Sequence, residues 1–183
     1  MSRMISTTLS CMAWTRTYHF RLAIASLYDD LIAAKSLKNV NKFKITAHPK
    51  HEVSGLQILA WFAEMAGWKV SQDLITDDGS KGSYRFSADS GALIDVEVVL
   101  DENSAPLGGV EIVSDSVTVC VSREANAKYL HHQLICKENG HEIDIHGPAD
   151  SDANADLLAD QLSRGGKNSL FKRVLPLFTE LLG

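Results

Sequence analysis

Apolar residues crowd the stretch from Ser54 to Trp68 (SGLQILAWFAEMAGW) on nearly every side, which predicts a helix at the centre of a domain. Leu56, Leu59, Ala60 and Ala63 recur at helical spacing on one stripe, and Ile58, Trp61, Phe62 and Met65 fill most of the rest. A helix apolar all round must be covered from more than one direction. Ser54 and Gln57 have the spacing of a capping box, Val53 and Ile58 that of a hydrophobic staple, and Gly67 can take the left-handed conformation that ends the helix. Upstream, a helical pattern runs from Trp14 to about Ala34. Leu22, Ala25, Leu27, Leu31 and Ile32 form its expected inward stripe, with Asp29 and Asp30 turned outward. Residues 1–13 are polar and weakly patterned and read as an arm, leaving 14–183 as a single domain.

The period then changes to two. Phe43–Ala47, Tyr84–Ala88, Leu93–Leu100, Gly109–Ser114, Val117–Ser122, Tyr129–Lys137 and Glu142–His146 read as strands. Ser36–Asn41 reads as a linker and Thr76–Gly82 as a polar loop, while Ser90-Gly91, Asn103–Gly109 and Asn139-Gly140 are turn signals. Connections so short favour antiparallel neighbours, since a parallel return needs a crossover of a dozen or more residues. Two helices close the chain, Asn154–Arg164 before Gly165-Gly166 and Ser169–Leu182, the latter expected to kink or restart at Pro176. The expected fold is α+β: an antiparallel sheet of about five or six strands with helices packed mainly on one face.

Composition narrows the function. A chain of 183 residues with 45% hydrophobic and 22% charged residues can bury a real core. Its net charge of -5 argues against a general nucleic-acid binder, which needs a basic surface. Cys11, Cys120 and Cys136 make an odd count without a CxxC, which fits a reducing cytosol rather than a disulfide framework. No stretch approaches the ~20 apolar residues of a membrane span. A cytoplasmic location is expected.

Chemistry-bearing motifs are sparse. His48 and His51 are three apart around Pro49, and the adjacent His131 and His132 point to opposite faces of a strand. None comes with a ligand set at metal spacing, so no metal site and no cofactor are expected. The loop before the central helix, with His48, Lys50, His51, Ser54 and Gly55, offers backbone N–H groups and a nearby cation to a phosphate or another small anion. Glu52 opposes that reading, and capping by Ser54 is the plainer one. No GxSxG, GxGxxG or kinase-type motif is present, and no catalytic residue is assigned. The segment WTRTYHFR is denser: Trp14, Arg16, Tyr18, Phe20 and Arg21 are residue types that anchor protein interfaces. Packing of Trp14 and Phe20 in the core, with the arginines paired to acids, is the competing reading.

Three ordered motifs carry a resemblance. WTRTYHFR with Tyr28-Asp29, LQILAWFAEMAGW closing on Gly67-Trp68, and ADLLADQL before a leucine-rich last helix resemble the C-terminal domain of the glucose-6-phosphate dehydrogenase assembly protein family (OpcA). Phe20 stands where that family more often has Trp, and His19 where it more often has Pro. The resemblance implies a non-enzymatic assembly or regulatory factor that binds glucose-6-phosphate dehydrogenase. It supplies no catalytic residues. Typical members carry an additional N-terminal domain, for which this chain leaves no room. Self-association stays open, and the alternative reading is a sugar-phosphate or small-anion sensor at the His48–Gly55 loop.

Overall fold

In a computed structural model, which describes residues 7–71, 81–163 and 169–182, six helices and eight strands form a single-sheet α/β arrangement. The helices are α1 (Thr7–Arg16), α2 (Tyr18–Tyr28), α3 (Leu31–Ser36), α4 (Glu52–Ala66), α5 (Asn154–Ser163) and α6 (Ser169–Leu182). The strands are β1 (Val40–Ala47), β2 (Lys69–Val70), β3 (Lys81–Ser87), β4 (Leu93–Leu100), β5 (Leu107–Ser114), β6 (Val117–Ser122), β7 (Tyr129–Cys136) and β8 (Glu142–Pro148). They lie in the order β2-β3-β4-β1-β5-β6-β7-β8.

This order corrects the expected antiparallel sheet of five or six strands. The sheet has eight strands and is mixed, because β1 and β4 run parallel while β1 and β5 run antiparallel. The cause lies in the segment after β4. Read as a hairpin turn, it instead passes over the end of β1, where Asp101 N–H donates to the Ala47 carbonyl (3.0 Å) and His48 N–H to that of Pro106 (3.3 Å). Strands β4 and β5 therefore flank β1 without pairing to each other. The parallel return that short loops seemed to exclude is made through α4 and the β2–β3 pair.

One face of the sheet carries the core. Phe43, Ile45 and Ala47 of β1, Ile94, Val96 and Val98 of β4, and Val119 and Val121 of β6 are all buried under helices. Helix α4 lies over β1 and β4 with α1 and α6 against it, and α2 covers β6 and β7. As expected of a helix apolar all round, α4 is buried from Ser54 to Ala63. Its start differs from the expectation: the helix begins at Glu52, His51 is the N-cap residue without a side-chain capping bond, and Ser54 lies inside the first turn. Gly67 ends it at φ 71°, in the left-handed region.

The expected single helix from Trp14 to Ala34 is three. Helix α1 reaches back to Thr7, into residues read as an arm, and Asp30 caps α3 by accepting N–H bonds from Ile32 and Ala33. The inward stripe turns accordingly. Phe20, Ala23, Ile24 and Leu27 are buried, whereas Leu22 and Leu31 are exposed. The linker read at Ser36–Asn41 holds a short 3-10 turn and the first residues of β1. Pro176 lies within α6, which continues through it. The polar loop from Thr76 lies outside the described residues up to Ser80, and Gly165-Gly166 lies outside them entirely. No helix among the described residues is long and apolar enough to cross a membrane.

Candidate functional site

The Trp14–Arg21 segment straddles the break between α1 and α2. Trp14 is 4% exposed and its ring packs 5.1 Å from that of Phe171 on α6. The Arg21 guanidinium lies 3.6 Å above the Trp14 ring, a cation–π stack. Its Nη1 donates to the Trp14 carbonyl at 2.8 Å and to the Thr17 hydroxyl. Arg16, also buried, meets His51 Nδ1 (3.2 Å) and donates to Asn154 Oδ1 (3.3 Å), while its Nε has no hydrogen-bond partner among the described residues. Burial lowers the Arg16 guanidinium below its ordinary range. Four of the five residues read as exposed anchors, Trp14, Arg16, Phe20 and Arg21, thus face inward; Tyr18 is half-buried. The guanidinium of Arg21 is engaged by the neighbouring ring and carbonyl, so the cluster fastens α1 and α2 to the domain. Asp150 completes the corner from a distant loop, accepting the His19 backbone N–H at 2.8 Å and meeting its ring at 2.7 Å.

The His48–Gly55 loop divides in two. His48 Nδ1 accepts the Lys50 N–H at 3.1 Å, and Lys50 is exposed. Ser54 and Gly55 are buried, and a Cβ on Gly55 would lie 3.2 Å from Ile45 Cγ2, so this glycine lets α4 settle on β1. Among the described residues no group of three or more His, Cys, Asp or Glu is placed to hold a metal. His51 has its pKa pushed down to about 4, first by burial and then by Arg16. The unfolded chain therefore takes up this proton near the ordinary 6.5, while the folded chain resists until about 4. Stability from this group is complete above pH 6.5 and is lost as pH falls toward 4. Thermal unfolding at stepped pH should show that loss, and His51→Gln should make it shallower; parallel curves for the two proteins would count against it.

On β7 the two adjacent histidines point apart. His131 meets Asp144 at 2.8 Å on one face and stacks on His146 with 4.9 Å between ring centroids. His132 is buried on the other, with neither ring nitrogen hydrogen-bonded among the described residues.

The face of the sheet away from the helices holds a feature the sequence reading missed, a cleft of about 420 Å³. Outward side chains of β1, β5 and β6 form its floor: Lys44, Thr46, Glu111, Cys120 and Ser122, with Gly109 among them. Asp101, Asn103 and Ser104 from the segment after β4, and Arg123 and Glu124 from the end of β6, complete its walls. Arg123 is held by Asp152 through two bonds of 2.8 and 2.9 Å. The usable sequence signal was the glycine pair 108–109 inside a strand, since such glycines mark a bulge, a bend or a close approach. Burial pushes the Cys120 thiol up, with Glu111 adding to the effect, so it is held as the neutral thiol.

The family described as the C-terminal domain of a glucose-6-phosphate dehydrogenase subunit matches residues 8–175. No curated protein matches the chain. Among solved structures, the chain is similar to KijD10, a 3-ketoreductase from Actinomadura kijaniata, in its complex with NADP and TDP-benzene: 14% identity, TM-score 0.54, covering 94% of this chain and 59% of that one. The NADP complex of the same protein gives 12% identity and a TM-score of 0.55, covering 94% and 57%. At these identities the likeness shows the fold alone. The chain spans less than two thirds of the length of those proteins.

Proposed function

The chain belongs to the family formed by the C-terminal domain of the glucose-6-phosphate dehydrogenase subunit, and from that membership we propose that it is a non-enzymatic partner of glucose-6-phosphate dehydrogenase that assists its assembly or activity. The observation that carries the reading is the family match, which runs through nearly the whole chain. Such a partner works by linkage. Binding one state of the enzyme more tightly than the others shifts the population by that difference in affinity.

Docking is proposed at the corner where α1 meets α2. There Tyr18 and His19 reach solvent, packed edge to face at 5.2 Å between ring centroids. Trp14, Arg16, Phe20 and Arg21 would serve that surface by holding its shape. The test is a calorimetric titration of this protein against the dehydrogenase of the same organism, with activity and sedimentation followed in parallel. Saturable binding is expected, and Tyr18→Ala should weaken it about tenfold, as loss of an aromatic anchor does. His131→Ala, on the face of β7 away from α2, should leave it unchanged. Absence of binding at about tens of micromolar, a Kd that already corresponds to only about 6–7 kcal/mol, would end the assembly reading. Equal effects of the two substitutions would move the docking surface elsewhere.

A further inference from the structure

We infer that the cleft on the open face of the sheet binds a small dipolar molecule carrying both an ammonium and a carboxylate group, of which a free amino acid is the simplest. Lys44 and Glu111 stand directly opposite each other in the β1–β5 register, yet neither makes an ion pair among the described residues. Each is half-buried, so opposite charges are held side by side in a recess, with no ion-pair partner for either among those residues. Thr46 and Ser122 stand beside them on the floor, and among the described residues neither hydroxyl is hydrogen-bonded. Recessed polar groups converging in a concavity are what fixes the orientation of a small ligand.

The surroundings narrow the chemistry. Arg123 is neutralised by Asp152, whereas Asp101, whose Oδ1 accepts the Asn103 N–H at 2.8 Å, keeps its negative charge in the lining. The lining therefore holds the Lys44 ammonium together with the carboxylates of Asp101, Glu111 and Glu124, and Glu97 stands opposite Lys44 on β4. A polyanion would meet three like charges for the one opposite charge, and an apolar molecule would strip water from charged groups without replacing their hydrogen bonds. A molecule with a carboxylate for Lys44 and an ammonium for Glu111 satisfies both.

The glycine pair separates packing from space. A side chain at Gly108 would collide with Ser104, so packing accounts for that glycine. Gly109 is different: a Cβ there would lie 3.7 Å from the Val121 carbonyl oxygen and 4.0 Å from Ser122 Cβ, ordinary contact distances. Glycine weakens a strand interior, and here no neighbour requires it. Its effect is to keep the floor of the cleft open.

The test uses the isolated chain, independent of any dehydrogenase, with free L-amino acids added singly and followed by amide NMR shifts and calorimetry. Glycerol and inorganic phosphate are the uncharged and anionic controls. At least one amino acid should bind saturably, with shifts centred on Gly109, Cys120 and Ser122. Lys44→Gln should weaken that binding at least about tenfold, the loss of a charge-assisted contact. Gly109→Val should abolish it while the protein stays folded by circular dichroism; should that variant not fold, Lys44→Gln decides. No saturable binding by any amino acid, binding of phosphate or glycerol in their place, or equal binding by wild type and both variants would overturn the assignment.

Discussion

Phe62→Ala is expected to lower the free energy of unfolding by about 3–5 kcal/mol, the range for removing a buried phenyl ring. Phe62 is where separate parts of the fold meet. Its ring lies 5.0 Å from Phe43 of β1, 5.1 Å from Trp68 after α4, 5.8 Å from Tyr28 of α2 and 6.1 Å from its neighbour Trp61. Trp68 extends the cluster to Phe86 of β3 at 6.2 Å. Rings held by a strand and by separate helices cannot all move into the vacated space, so most of the cavity should persist. Against a typical domain stability of about 5–15 kcal/mol, the variant would be marginal at about 37 °C. Urea denaturation monitored by tryptophan fluorescence gives the number. A loss below about 1 kcal/mol would mean that the cluster refills the hole. Phe62→Leu, which keeps most of the volume, should cost clearly less than the alanine variant.

Arg21→Ala is expected to cost about 2–4 kcal/mol, the loss of a buried cation–π stack together with its hydrogen bonds. The substitution removes the cation over Trp14 and the donors to the Trp14 carbonyl and the Thr17 hydroxyl, all inside a buried corner. Arg21→Lys separates the contributions. It keeps the charge but loses the flat guanidinium that covers the indole while donating sideways, so it should fall between wild type and alanine. Equal stability of the lysine variant and wild type would reduce the stack to a matter of charge. Both variants should lose near-ultraviolet circular dichroism from Trp14 before they lose helix content, since α1 is released first.

The periodicity that the sequence displays is local, and what it revealed was local too. The end of α4 at Gly67, the strands β4 to β8 within a residue or two and the apolar wrap of α4 were legible because each rests on side chains within one element. The place of β1 was not legible. Nothing in Phe43–Ala47 says that its partners arrive from residues 93–100 and 107–114, and the Asp101–Pro106 segment has the composition of any turn. The Trp14–Arg21 cluster shows a second limit. Aromatic and arginine residues look alike whether they await a partner or already have one, and it is Phe171 on α6 and Arg21 on α2 that cover Trp14 from within. The cleft escaped notice for a third reason: Lys44, Thr46, Glu111 and Ser122 are the ordinary polar half of alternating strands. Their convergence is a property of register.

The insertion of β1 between two later strands sets the order in which the chain can acquire structure as it is made. Both hydrogen-bonding edges of β1 are completed only by residues 93–114, so neither can close when Ala47 leaves the ribosome. At ~5–20 residues per second, the intervening synthesis occupies roughly 3–13 s. Throughout that interval the apolar face of β1 and the all-round apolar α4 have no sheet to rest on. The nascent half-domain is therefore a natural client for chaperones. Sheet assembly must wait for distant contacts, which places this domain among slow folders despite its many helices.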